Sequence, residues 1–261
     1  MKTKTNGIEI NYEIAGSGPW VTLSHSLGCD LHMWDEQMDA LAKKYQVLRF
    51  DTRGHGASST PAGAYTLEQM ADDVHGLLAA LGIKQTHWVG LSMGGMIGQT
   101  YALRYPGVFK SMVLADTTCS YPADAAPVWA DRIKLAQSGG MRPIAEAMLA
   151  RWFTEPYRKS HPQIMARIGG SVGATPVAGF VGCCHAIPKI NFTSRLKEIR
   201  CPTLVVVGEQ DTGTPVEMAR ELHAAIPGSE LVVIPSAAHL SNLEQPEAFN
   251  RAITAFLAQH A

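Results

Sequence analysis

The chain has 261 residues, 46% of them hydrophobic and 17% charged, which suits one α/β domain with a large core and excludes disorder and collagen-like repeats. Its 22 Lys and Arg stand against 23 Asp and Glu with no cluster of like charge, so the basic footprint that nucleic acid requires of a partner is missing. No stretch approaches the roughly 18 uninterrupted apolar residues of a membrane span, and the opening MKTKTNGIEINYEI lacks the apolar segment of a signal peptide, so no membrane partner and a cytoplasmic location are expected.

Strand and helix signals alternate over residues 1–119, the pattern of a mainly parallel sheet covered on both faces. Ile8, Ile10, Tyr12 and Ile14 alternate like a half-exposed edge strand, whereas residues 21–23, 45–50, 87–91 and 112–115 are short apolar runs typical of buried parallel strands. Thr66 and Gln69 make a capping box, after which Leu67, Met70, Val74, Leu77, Leu78 and Leu81 repeat at helical spacing until Gly82 stops the helix. From 120 to 189 the strand signal vanishes, and helical patches at 128–137 and 141–152 are broken by several prolines. Strands at 203–207 and 231–234, with helices near 217–225 and 246–258, then resume the alternation. The expected fold class is α/β, with a core of residues 1–119 and 190–261 and a helical insertion at 120–189. Cys29, Cys119, Cys183, Cys184 and Cys201 are an odd number without metal-ligand spacing, so they read as reduced thiols and no metal site is expected.

The most informative residues are Gly90-Leu-Ser92-Met-Gly94-Gly95, because a buried strand runs into them and a helix over 96–105 runs out. A serine at such a turn sits in a strained conformation, tolerable only when small residues two positions before and after let strand and helix approach. The turn sets the Ser92 hydroxyl at a helix N-terminus, where amides and the helix dipole favour developing negative charge. An alcohol is a poor nucleophile at neutral pH, so Ser92 needs a general base, and the base needs a group that fixes its tautomer. His239, in a loop of small residues after the last strand, fits the first role. His87 reads as structural, His32, His75, His161, His223 and His260 as surface or helix-face residues, and His25 and His55 as candidates to line the site. For the acid, Asp211 follows the strand at 203–207, at the carboxyl end where such sheets build sites. Asp116 is the runner-up and Glu209 a weaker alternative. The oxyanion hole needs two amides, expected from Met93 and, in the loop His25-Ser26-Leu27-Gly28, from Leu27.

Together these strings resemble the α/β-hydrolase superfamily over essentially the whole chain, and within it the 3-oxoadipate enol-lactonases. The resemblance rests on His25-Ser-Leu-Gly with Asp30 and Met33-Trp34, Arg49-Phe-Asp-Thr-Arg-Gly-His-Gly-Ala-Ser, Gly90-Leu-Ser-Met-Gly-Gly, Arg151-Trp-Phe and His239-Leu-Ser-Asn-Leu-Glu. It implies a mainly parallel eight-stranded sheet flanked by helices, a cap formed by the insertion, and a triad of Ser92, Asp211 and His239 with Leu27 and Met93 as the oxyanion hole. It also implies a cofactor-independent hydrolase that opens a small lactone bearing a carboxylate, within aromatic-compound degradation. Cys29 has no match in that pattern, and assembly, with a homodimer as one option, stays open.

Several other residues have two readings. Arg53-Gly-His55-Gly reads chiefly as a structural turn, and Cys183-Cys184 as packing. Trp129, Arg132, Arg151 and Trp152 either pack and snorkel within the cap or present a cation and an apolar face to an anionic substrate. A general carboxylesterase with perhydrolase side activity is the alternative function, and a ligand receptor on the same fold a third. Dehalogenase or epoxide hydrolase chemistry would want a carboxylate where Ser92 stands.

Overall fold

The computed structural model describes residues 1–122 and 124–261. Eight strands form one sheet in the order β1-β2-β4-β3-β5-β6-β7-β8: β1 (Lys2–Thr5), β2 (Ile8–Gly16), β3 (Trp20–Ser24), β4 (Gln46–Phe50), β5 (Thr86–Leu91), β6 (Phe109–Ala115), β7 (Thr203–Gly208) and β8 (Glu230–Ile234). The pairs β1–β2 and β2–β4 are antiparallel and all others parallel. β5 and β7 are buried at every residue, as a strand covered on both faces must be, which is why they read as continuous apolar runs.

The alternating segment 8–14 is not the edge. Lys2–Thr5 pairs outside it through a two-residue turn in which Asn6 (φ 46°) and Gly7 (φ 76°) both take positive φ. Asn-Gly is the preferred sequence for such a hairpin turn, whose twist matches that of the strands. β1 itself, Lys-Thr-Lys-Thr, carries no hydrophobic pattern, so the edge was legible only in its turn.

The helices are α1 (Asp35–Leu41), α2 (Leu67–Ala80), α3 (Met93–Arg104), α4 (Ala125–Gly139), α5 (Met141–Trp152), α6 (Glu155–Ser160), α7 (Pro162–Ala174), α8 (Val177–Ala186), α9 (Val216–Ala225), α10 (Ser241–Glu244) and α11 (Pro246–Gln259). The Thr66–Gln69 capping box is present at the start of α2, whose buried stripe includes Leu67, Met70, Val74, Leu77 and Leu78. Helices flank the sheet in packed pairs, α1 with α11 and α2 with α3. Among the described residues no single helix is long and apolar enough to cross a membrane.

Between β6 and β7 the chain runs through α4 to α8, of which α4 packs on α5 and α8 and α5 on α7. Glu244 fastens this segment to the core: it accepts from the Thr154 amide (3.1 Å) and hydroxyl and, on its other oxygen, from the Ala238 amide (2.9 Å). The Leu240 amide donates to the Trp152 carbonyl (3.1 Å). α7 is tied to the opposite side, where Ser171 Oγ donates to Asp30 (2.7 Å) and Thr175 Oγ1 to the Gly28 carbonyl (3.2 Å).

Candidate active site

Ser92 joins β5 to α3 with φ 55° and ψ −114°, a strained setting for a residue with a side chain. The change of direction is confined to that one residue, so α3 starts at Met93, three residues earlier than the sequence pattern suggested. A Cβ at Gly90 would overlap the Gly94 carbonyl oxygen and one at Gly94 the Ser24 carbonyl oxygen, so neither position accepts a side chain. The turn is pinned by the Ser92 amide donating to Ala115 O (2.8 Å) and by Thr117 Oγ1 donating to Ser92 O (2.7 Å).

The hydroxyl so presented lies 3.0 Å from His239 Nε2, and His239 Nδ1 lies 2.8 Å from Asp211 Oδ2. The three candidates, 147 and 28 residues apart in sequence, are thus one hydrogen-bonded chain. Asp211 is held in turn: Oδ1 accepts from the amides of Gly213 (2.6 Å) and Thr214 (3.1 Å), and Oδ2 from Thr214 Oγ1 (2.8 Å). Burial raises the Asp211 carboxyl, but the His239 charge and hydrogen bond and those of Thr214 outweigh it and hold the group below its ordinary value. Thr214 was not singled out in the sequence. The signal was there, since a threonine three residues after an aspartate in a tight loop can bond back to it.

The competing acids are engaged elsewhere. Both Asp116 oxygens are taken, by the Gly208 amide (2.8 Å) and the Ser241 hydroxyl (2.5 Å). Glu209 is exposed and accepts from the Ser236 amide (3.1 Å).

The loop after β3 turns through Ser26 to Cys29, closed by the Cys29 amide on Ser26 O (3.1 Å), with Gly28 at φ 76°. Here His25 and His55 need correction as lining candidates. Both are fully buried behind the loop and neither reaches the cavity. His55 Nε2 accepts from the Gly28 amide (2.9 Å) while its Nδ1 faces Arg53 O (3.2 Å). His25 Nε2 accepts from the Thr52 amide (3.0 Å) and Nδ1 bonds to Ser26 O (2.7 Å). A ring nitrogen that accepts carries no proton, and burial agrees: it lowers both groups, His55 to about 3 with the His25 charge adding. The Asp-Thr-Arg-Gly-His string is therefore a brace for this loop, helped by Asp51, which accepts from the Leu31 (2.8 Å) and Ala57 (2.8 Å) amides. With Gly28 N committed to His55, the Leu27 amide has no acceptor among the described residues, and neither has the Met93 amide at the start of α3. Cys29 is buried in the turn, and burial pushes its thiol well up, so it is inert packing.

A cavity of about 490 Å³ rises from Ser26, Leu27, Ser92 and His239 and is walled by the inserted helices. Trp129, Arg132, Arg151 and Trp152 all line it. Trp152 is buried and its ring stacks on that of His239 (24° between planes, centroids 6.3 Å apart). Arg132 lies 4.4 Å from the centroid of the Trp129 ring and forms no ion pair among the described residues. Burial above all pulls its guanidinium below its ordinary value. Arg151 is exposed, and its Nη2 donates to the carbonyls of Thr212 (3.4 Å) and Gly213 (3.3 Å), beside Asp211. Ile187 and Met218 add apolar wall that no sequence motif marked.

Residues 19–246 match the family model described as alpha/beta hydrolase fold. The chain is 37% identical to 3-oxoadipate enol-lactonase 2 of Acinetobacter baylyi, over 96% of this chain and 93% of that protein. Among solved structures, the enol-lactonase from Burkholderia xenovorans LB400 superposes with a TM-score of 0.95 at 37% identity, covering 99% of this chain and 100% of that one. A thermophilic esterase from Thermogutta terrifontis superposes with a TM-score of 0.95 at 32% identity, covering 100% of both chains.

Proposed function

Because this chain belongs to the α/β-hydrolase family, an ester hydrolase by that kinship, we propose that it opens a small lactone bearing a carboxylate, with 3-oxoadipate enol-lactone as its substrate. The observation that carries the reading is the Ser92–His239–Asp211 hydrogen-bonded chain at the foot of a cavity whose wall holds Arg132, which has no ion-pair partner among the described residues. The similarity to enol-lactonases over nearly the whole chain supports the choice of substrate.

In the proposed reaction His239 Nε2 takes the Ser92 proton as Oγ attacks the lactone carbonyl, and Asp211 stabilises the resulting imidazolium. The charge that develops on the carbonyl oxygen is met by the Leu27 and Met93 amides, the latter at the positive end of α3. Collapse of the tetrahedral species breaks the ring carbon–oxygen bond, and the ring oxygen leaves as an enol with the proton from His239. Water, deprotonated by the same histidine, hydrolyses the acyl-serine and restores Ser92. The enol tautomerises to a ketone, which makes ring opening hard to reverse. Trp129 and Trp152 pack on the ring, and Arg132, with Arg151 at the rim, receives the carboxylate.

A general carboxylesterase is the second reading, favoured by the esterase neighbour and by the largely apolar wall of Ile144, Met148, Ile187 and Met218. Spectrophotometric assay of 3-oxoadipate enol-lactone beside p-nitrophenyl esters separates the two. The lactonase reading expects kcat/KM at least about a hundredfold higher on the lactone, a difference of about 2.7 kcal/mol in transition-state stabilisation. Equal values, or none on the lactone, would hand the site to the esterase reading.

A further inference from the structure

We infer that Asp116 is a positioning residue of this site, which holds together, through Gly208 and Ser241, the two loops that carry Asp211 and His239. The inference rests on the triad reading above and adds a residue to it. Asp116 directly follows β6, is fully buried, and takes φ 45°, a conformation uncommon for a residue with a side chain. Its own amide donates to Val206 O (2.8 Å), which continues the β6–β7 pairing past the last registered strand residues. Oδ1 then accepts from the Gly208 amide (2.8 Å), three residues before Asp211, and Oδ2 accepts from the Ser241 hydroxyl (2.5 Å), two residues after His239.

One side chain therefore spans three segments. The approach is close, because Gly208 lies so near the Ala238 carbonyl that it has no room for a Cβ. The Asp211 segment is joined to the His239 loop from the strand side by the Glu209 amide on Ile234 O (2.9 Å) and the Gln210 amide on Ala237 O (2.8 Å). Asp116 adds the tie beyond His239, so the separation of His239 Nδ1 from Asp211 Oδ2 is fixed on both sides of the histidine. Burial first, and then the Asp211 charge, push the Asp116 carboxyl well above its ordinary range, which favours the neutral acid. In the neutral acid Oδ1 still accepts from Gly208 while the proton on Oδ2 is donated to Ser241 Oγ, reversing that bond, and the amide of asparagine offers the same acceptor and donor in the same shape. Asparagine at 116 should therefore serve as well as aspartate, whereas at 211 it should not.

The test uses the full-length Asp116→Asn, Asp116→Ala and Ser241→Ala proteins, with steady-state kinetics, thermal unfolding and the downfield proton resonance of the His239–Asp211 hydrogen bond. We expect Asp116→Asn to keep kcat within about threefold of the parent. Asp116→Ala should lose about 10- to 100-fold in kcat with KM little changed, since a shift of about 1 Å in a catalytic group costs that much, and Ser241→Ala about three- to tenfold. The downfield resonance should persist in the asparagine variant and broaden in the alanine one, which a purely structural role would not produce. Parental kcat and an unaltered resonance in both alanine variants would overturn the inference, as would an asparagine variant as impaired as Asp116→Ala. If Asp116→Ala fails to fold, Ser241→Ala decides by the same readouts. Activity surviving in Ser92→Ala and Asp211→Asn would instead remove the triad reading beneath it, so the two failures are distinguishable.

Discussion

Replacing Arg132 by glutamine removes from the cavity wall the guanidinium that lies over the Trp129 ring, and leaves a neutral amide on a shorter stem. Folding has already taken this guanidinium partly out of water without giving it a carboxylate among the described residues, and burial pulls it below its ordinary value. An incoming carboxylate then bears mainly its own desolvation, and the planar fork is preorganised to receive it. A hydrogen bond to a charged group contributes about 1.5–3 kcal/mol, which converts to about 10- to 150-fold in affinity. KM for the anionic lactone should rise by that factor in Arg132→Gln, with kcat little changed because the contact is made equally in ground and transition states. Arg132→Lys should fall between, keeping the charge and losing the fork. Neutral p-nitrophenyl esters, assayed in parallel, should change less than threefold. Equal losses on both substrates, or an unchanged KM on the lactone, would refute the assignment and leave Arg132 as packing for Trp129. Arg151→Ala should raise KM for the lactone as well and, because the side chain also bonds to the Thr212 and Gly213 carbonyls beside Asp211, should lower kcat on every substrate.

Ser92→Ala should fold normally and lose on the order of 10⁴ or more in kcat, and a serine-directed phosphonate should label the parent at Ser92 alone; labelling elsewhere, measured by peptide mass mapping, would displace the nucleophile. Asp211→Asn should lower kcat by a similar order, since the amide favours the wrong imidazole tautomer, while Asp116→Asn should not; the opposite ranking would exchange their roles. Stability should also depend on acid. Burial, with the neighbouring His25 charge at His55 and those of Lys110 and His260 at His87, brings the folded-state values to about 3 and about 4, below the ~6.5 of an unfolded imidazole. The unfolded chain therefore binds more protons in that interval, so stability is full above about pH 6.5 and falls as the pH drops toward 4, by up to about 1.4 kcal/mol per unit for each histidine. Urea midpoints at pH 7, 6 and 5 check this, and a flat profile would contradict the buried neutral state of both rings.

The strands other than β1, the stripe of α2 and the serine at its turn were legible in order because each is a local pattern: period two or a short apolar run, period 3.6, or small residues flanking a strand-to-helix corner. The same locality named His239 and Asp211, each a chemically apt residue in a loop after a strand. Local pattern failed where the meaning of a residue depends on what lies across the fold. His25 and His55 carry side chains fit for catalysis, yet their rings are taken up by buried bonds from the Thr52 and Gly28 amides, which no spacing along the chain announces. Asp116 and Asp211 follow neighbouring parallel strands in like fashion, and what separates them is which loop descends beside each. The Gly208 amide and the Ser241 hydroxyl reach the first, and His239 reaches the second. Partner choice of that kind is a matter of distances between segments that the chain keeps far apart, and packing alone sets those distances.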